Sequence, residues 1–153
     1  MKKTVTVLTA IVMLFASTAF AMGEEKVTPK VKAAFQIDFG AAVQVNWEKS
    51  SDFYFASFTL NNTKVDAAYN EAGELVGTSR KIDLSKVPLN VLMALNKEYS
   101  DYTISPQVLE LNYEGVTRYY ISAENNKQVL KLKCYSNGES VIENKVKKVV
   151  VGG

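Results

Sequence analysis

The 153-residue chain contains no histidine, one cysteine and three prolines, and each shortage removes a class of chemistry. Without an imidazole, the usual base beside a serine or cysteine nucleophile is missing. Lysine-based variants stay formally open, with nothing in the sequence to support them. Zinc normally draws on cysteine and histidine, so a site built from Cys134 and carboxylates alone would be unusual. A single cysteine forms no internal disulfide, which leaves stability to the apolar core. No GxGxxG or GxxxxGK motif is present to cradle phosphates. The run Asn70-Glu71-Ala72-Gly73-Glu74 lacks the ligand spacing of a calcium loop and reads as a turn. The acids are scattered over loops and polar strand positions, as solvated surface charge is, rather than paired for work on sugars. The sequence therefore describes a non-enzyme with no cofactor.

The one long apolar run lies at the start. Lys2 and Lys3 precede Val5 to Phe15, a stretch too short to cross a bilayer comfortably, and Ala19 and Ala21 flank Phe20 in the small-x-small form that signal peptidase accepts. Residues 1–21 are therefore expected to be a signal peptide, leaving Met22 as the new N-terminus of a soluble periplasmic or secreted protein of 132 residues (153 minus 21). No cysteine follows the run, which disfavours a lipid anchor. Cleavage removes two of the 18 basic residues and none of the 16 acidic ones, so the formal charge falls from +2 to zero. A neutral domain lacks the positive footprint that nucleic acid requires.

The remainder is organised as a flexible lead-in over residues 22–29 and one domain over 30–149, built from two repeats, 30–82 and 83–149. Pro29 and Pro88 each open a helical stretch whose apolar ladder closes on an aromatic, Phe39 and Tyr99. Tyr54-Phe55-Ala56-Ser57-Phe58 answers to Tyr119-Tyr120-Ile121-Ser122-Ala123, and Tyr69-Asn70-Glu71-Ala72-Gly73 to Tyr135-Ser136-Asn137-Gly138. Val31, Ala34, Phe35 and Phe39 follow helical spacing, as do Val91, Leu92, Leu95 and Tyr99, with Asp83 or Ser85 as the cap of the second helix. Alternation predicts strands at Val43 to Trp47, Phe53 to Leu60, Thr63 to Tyr69, Glu74 to Ile82, Thr103 to Tyr113, Val116 to Ala123, Gln128 to Tyr135 and Glu139 to Val149. Asn137-Gly138 carries a two-residue hairpin signal. Pro106 places the start of its strand at an edge, at a bulge or outside the sheet. Period-two spacing puts Cys134 on one face with Leu130 and Leu132, as a buried structural thiol rather than a reactive one.

The order of these residues resembles the secreted PepSY-like group, also described as beta-lactamase-inhibitor-like, that is common among Bacteroidetes. The resemblance is carried by the helix ending Phe39-Gly40, by Val43-x-Val45-x-Trp47, Tyr54-x-Ala56-x-Phe58, Ala68-Tyr69 before Gly73-Glu74-Leu75, and Leu84-x-x-Val87-Pro88. It implies an α+β fold of two tandem helix-plus-antiparallel-meander units, forming one curved antiparallel sheet with both helices on one face. These are framework residues, so the resemblance transfers no binding residue and no function.

If Trp47, Tyr54, Phe58, Tyr119 and Ile121 face the helices, then Gln44, Asn46, Phe53, Phe55, Glu110, Asn112, Arg118, Tyr120, Lys131 and Lys133 share the opposite side. Aromatics and arginine among amides and charges on an uncovered sheet face point to a docking surface for a protein partner in the cell envelope, with an inhibitor-like or chaperone-like action. The plainer reading is that the aromatics pair across strands to stabilise the sheet. A periplasmic sensor of a small molecule or glycan is the alternative function. Lys145, Lys147 and Lys148 on the last strand read as protection of an exposed edge.

Overall fold

The computed structural model describes Gly23 and residues 26–149, so the signal-like segment lies outside the described residues. The described residues form an α+β fold with two α-helices and a nine-strand antiparallel sheet. Two compact units divide it, the first ending at Arg80 and including Tyr113–Gly115, the second comprising Lys81–Asn112 and the chain from Val116 onward. None of the described helices is long and apolar enough to cross a membrane.

In the first unit, helix α1 (Pro29–Asp38) starts as its sequence dictates. The Thr28 hydroxyl accepts a hydrogen bond from the Val31 N–H at 3.4 Å, and Pro29, which lacks an N–H to satisfy, takes the first helical position. Strands β1 (Val43–Ser50), β2 (Phe53–Leu60), β3 (Thr63–Asn70) and β4 (from Leu75, ending at Asp83) follow as a meander in the order β1-β2-β3-β4. Asn61 and Asn62 both take positive φ, 48° and 62°, the geometry of a two-residue hairpin turn that asparagine tolerates. Phe35 projects from α1 into a ring cluster, with centroids 5.1 Å from Trp47 and 5.1 Å from Phe58, both edge-on. Val27 is buried in the same core. The expected flexible lead-in therefore stops short, because Val27 anchors the chain and Thr28 caps the helix.

The second unit enters through a single 3-10 turn, Leu84–Lys86, in which the Asp83 carboxylate accepts from the Ser85 N–H at 2.9 Å. Asp83 thus caps this turn, and neither it nor Ser85 caps the helix, contrary to the expectation from their spacing. Helix α2 (Leu89–Glu98) begins after Pro88, which has no side-chain hydrogen bond to offer at the cap. The expected strand Thr103 to Tyr113 is broken in two, β5 (Thr103–Ile104) and β6 (Gln107–Tyr113). Pro106, between them, lies outside both, and its carbonyl accepts from the Leu84 N–H at 2.8 Å. Strands β7 (Val116–Glu124), β8 (Gln128–Tyr135) and β9 (Ser140–Lys147) complete a meander in the order β6-β7-β8-β9, with β5 pairing β7. Val91 and Leu95 from α2 pack with Val108, Tyr119, Ile121, Leu130, Leu132 and Cys134.

The two units share one pattern of turn hydrogen bonds. Gly73 N–H donates to Asn70 O (3.0 Å) and Asn70 N–H to Glu74 O (3.1 Å); Gly138 N–H donates to Tyr135 O (2.9 Å) and Tyr135 N–H to Glu139 O (2.8 Å). Both are three-residue loops closing on a glycine with φ of 77° and 93°, so Asn137-Gly138 is not the two-residue turn its dipeptide signals. Tyr54 pairs Tyr69, and Tyr119 pairs Cys134. The true counterpart of Tyr69 is therefore Cys134, one residue from the match that aligning tyrosines produces. Likewise Val31 and Phe35 correspond to Val91 and Leu95, which puts Thr28 rather than Pro29 opposite Pro88.

Candidate docking face

Within each unit, alternation sorts the strands into a helix-covered side and a side turned away from the helix. Trp47, Tyr54 and Phe58 lie in the core of the first unit, Tyr119 and Ile121 in that of the second. Their strand neighbours must point the other way.

On the first unit this other side is arranged in rows. Asn46, Ser57, Asp66 and Ser79 pair across β1 to β4, and Glu48, Phe55, Ala68 and Gly77 form the adjacent row. The Ser57 hydroxyl donates to Asp66 Oδ1 at 2.5 Å. Gln44 sits at an irregularity in β1 with φ 56°, and its amide oxygen accepts from the Thr59 hydroxyl at 3.3 Å while Asn46 Nδ2 donates to its carbonyl. Asn46 is exposed and Phe53 half-buried. Phe55 is only 5 % exposed. Its row neighbours across the strands are Ala68 and Gly77. Phe55 is thus a packing residue, and the sequence-based picture of it as an accessible docking ring is corrected. Desolvation by the same surroundings raises the pKa of Glu48 above the ordinary carboxylate range.

On the second unit, Arg118 pairs Tyr135, Tyr120 pairs Lys133 and Ser122 pairs Lys131. These six side chains share the side away from α2. Glu110 and Asn112 do not join them. They stand on β6 at the same parity as Val108, which is buried in the α2-covered core, and Asn112 Nδ2 donates to Thr117 Oγ1 at 3.2 Å. Their polarity suggests the side away from α2, whereas Val108, in phase with Ile104 of β5, sets their parity toward it. By parity the β6 residues on the side of Arg118 and Tyr120 are Leu109 and Leu111, of which Leu111 is fully buried.

The electrostatics of this second face are uneven. Lys133 is held by the Glu143 carboxylate, which β9 delivers from a bulge between Ile142 and Asn144, and that hydrogen bond raises the pKa of Lys133. Lys131 Nζ donates to the Ser122 hydroxyl at 2.6 Å, and Arg118 Nη1 to the Val116 carbonyl at 3.4 Å. Neither Lys131 nor Arg118 has a carboxylate partner among the described residues. Tyr120 is half-buried, and desolvation raises its pKa, opposed by the nearby Lys133 and Arg118 charges. Among the described residues no group of three histidine, cysteine, aspartate or glutamate side chains converges as a metal site would.

Two helix-and-meander units built on equivalent turns match known structures. A BLIP-like protein from Bacteroides fragilis superposes with a TM-score of 0.68 at 17 % identity, covering 86 % of this chain and 94 % of its own. The fold is BLIP-like. A provisionally periplasmic protein from Bacteroides eggerthii (TM-score 0.65, 18 % identity, 79 % of this chain and 88 % of its own) has the same BLIP-like fold. So has a DUF2874 family protein from Bacteroides uniformis (0.65, 18 %, 78 % and 88 %). No family model matches the sequence, and no curated protein does. At these identities the likeness concerns the fold, and the resemblance drawn from framework residues holds at that level.

Proposed function

We propose that this BLIP-like chain is an exported, non-catalytic binding module that docks a protein partner in the cell envelope, with inhibition or chaperoning of an envelope enzyme as the consequence of docking. The observation that carries this reading is the side of the second unit turned away from α2, where a half-buried Tyr120 stands among Arg118, Lys131 and Lys133. An aromatic with arginine beside it is the composition of interface hot spots. A sheet face supplies area more readily than enclosure, which suits a protein better than a small ligand. The signal-like segment and the provisionally periplasmic relative by fold support the location.

The test is affinity capture from envelope extract with the exported protein as bait. Tyr120→Ser and Arg118→Ala should each reduce recovery of the specific partner about tenfold or more while the melting temperature stays close to that of the parent. Equal recovery with a folded Tyr120→Ser protein removes this face from the proposal.

A further inference from the structure

The two units carry equivalent rows on the sides turned away from their helices, yet with opposite charge. Ser57, Asp66 and Ser79 in the first correspond to Ser122, Lys131 and Asn144 in the second, through matching pairs on β2, β3 and β4 and on β7, β8 and β9. Phe53 and Ala68 are likewise replaced by Arg118 and Lys133. Duplication has left the framework alone here and made one copy cationic. Of the three cations, Lys133 is neutralised by Glu143. Arg118 and Lys131 have no carboxylate partner among the described residues and lie on either side of Tyr120.

Their spacing is specific. Lys131 stands beside Ser122, four residues along β7 from Arg118, so the two positions lie about 13 Å apart along the strand with Tyr120 midway. An extended segment presents residues i, i+2 and i+4 on one side over the same distance. Resting on the docking reading above, we propose that the second unit recognises a protein segment in extended conformation that presents an acidic residue, an apolar residue and an acidic residue at i, i+2 and i+4. The two carboxylates pair with Arg118 and Lys131, and the apolar side chain covers the Tyr120 ring. Arginine offers its carboxylate two parallel donors, while Lys131 can leave the Ser122 hydroxyl for a charged acceptor.

The experiment titrates the isotope-labelled protein, recovered after export, with the capped peptide Glu-Thr-Leu-Thr-Glu and follows backbone amide shifts. Shifts should concentrate within 116–135 and weaken on raising the salt concentration. Arg118→Glu combined with Lys131→Glu should lower affinity about tenfold or more, whereas Asp66→Lys on the other unit should leave it unchanged. Several results would overturn the proposal: equal binding of a Lys-Thr-Leu-Thr-Lys control, shifts centred elsewhere, or indifference to the double reversal. So would self-association through this face, or binding through Arg118 and Lys131 of sulfated oligosaccharide or anionic vesicles without the peptide. If the peptide fails while envelope capture still depends on Tyr120, the docking reading stands and only the acidic preference falls.

Discussion

Cys134 and Tyr69 occupy the same place in the two units and settle the same problem differently. Tyr69 is fully buried and spends its hydroxyl on Asp38 Oδ2 at 2.8 Å, whereas Cys134 is buried beside the Glu98 charge with only a thiol to place there. Burial first, and Glu98 second, push the Cys134 thiol up from 9.0 to about 11. The folded protein therefore holds this proton more tightly than the unfolded chain, so the thiol's contribution to stability is complete below its ordinary value and is lost as pH rises toward about 11. Denaturant midpoints measured from about pH 8 upward should fall more steeply for the parent than for Cys134→Ala. Tyr69, raised by burial and by Asp38, adds its own alkaline loss to both proteins, so a gap between them that never changes with pH rejects the assignment. Phe55 makes the opposite point about rings on the side turned away from the helix. Because it is buried, Phe55→Ser should cost about 3 to 5 kcal/mol, and a chemical melt showing less than about 1 kcal/mol would return it to the accessible surface. Period two placed both residues on their correct faces. It did not say that Phe55, facing away from α1, would be buried, since that depends on packing beyond its own strand.

At the scale of the element, the loops ending in Gly73 and Gly138 do more than reverse the chain. A Cβ on Gly73 would stand 3.1 Å from the Lys30 carbonyl oxygen, and one on Gly138 3.1 Å from that of Asn90. Each loop is thus pressed against the first turn of its helix, and Asn90 Nδ2 ties the second by donating to the Ser136 carbonyl at 2.5 Å. Gly115 has a similar φ of 74° but open space around it. Gly115→Ala should therefore cost only the backbone strain, about 1 kcal/mol, while Gly73→Ala and Gly138→Ala add the displacement of a helical carbonyl and should cost about 2 kcal/mol or more. Thermal melts of the three variants check this, and equal losses would show that the helix contact is idle. Helices and most strands were legible because Val31, Phe35, Val91 and Leu95 mark a helical stripe and Phe53 to Leu60 and Gln128 to Tyr135 run between clear turns. The break at Ser105-Pro106 was harder, because proline forbids a ladder bond without saying which side of it the strand resumes. Glu110 and Asn112 were misplaced for a different reason, since their polarity suggests the side away from α2 while Val108 sets their parity toward it. Asp83 misled for a similar reason, since a capping side chain fits a short 3-10 turn as readily as an α-helix.

For the whole molecule, charge is a matter of location more than of sum. The full chain carries +2, and removal of Lys2 and Lys3 with the apolar segment brings it to zero. The neutral exported protein proposed above would have little long-range field to attract nucleic acid or to draw it to anionic surfaces, so its electrostatics would act at short range, between particular groups such as Arg118 and Lys131 and whatever meets them. This depends on the leader being removed, because two lysines and an apolar run left in place would make the chain a basic, membrane-seeking protein. Cleavage after Ala21 is therefore the whole-molecule prediction, read from intact mass and N-terminal sequencing of the protein recovered from the periplasm or medium. The expected species begins at Met22, and Ala21→Arg should accumulate the uncleaved precursor at the membrane. Recovery of the uncut chain from the soluble fraction would sink both the address and the neutral surface, and would return the cationic face to competition with anionic lipid.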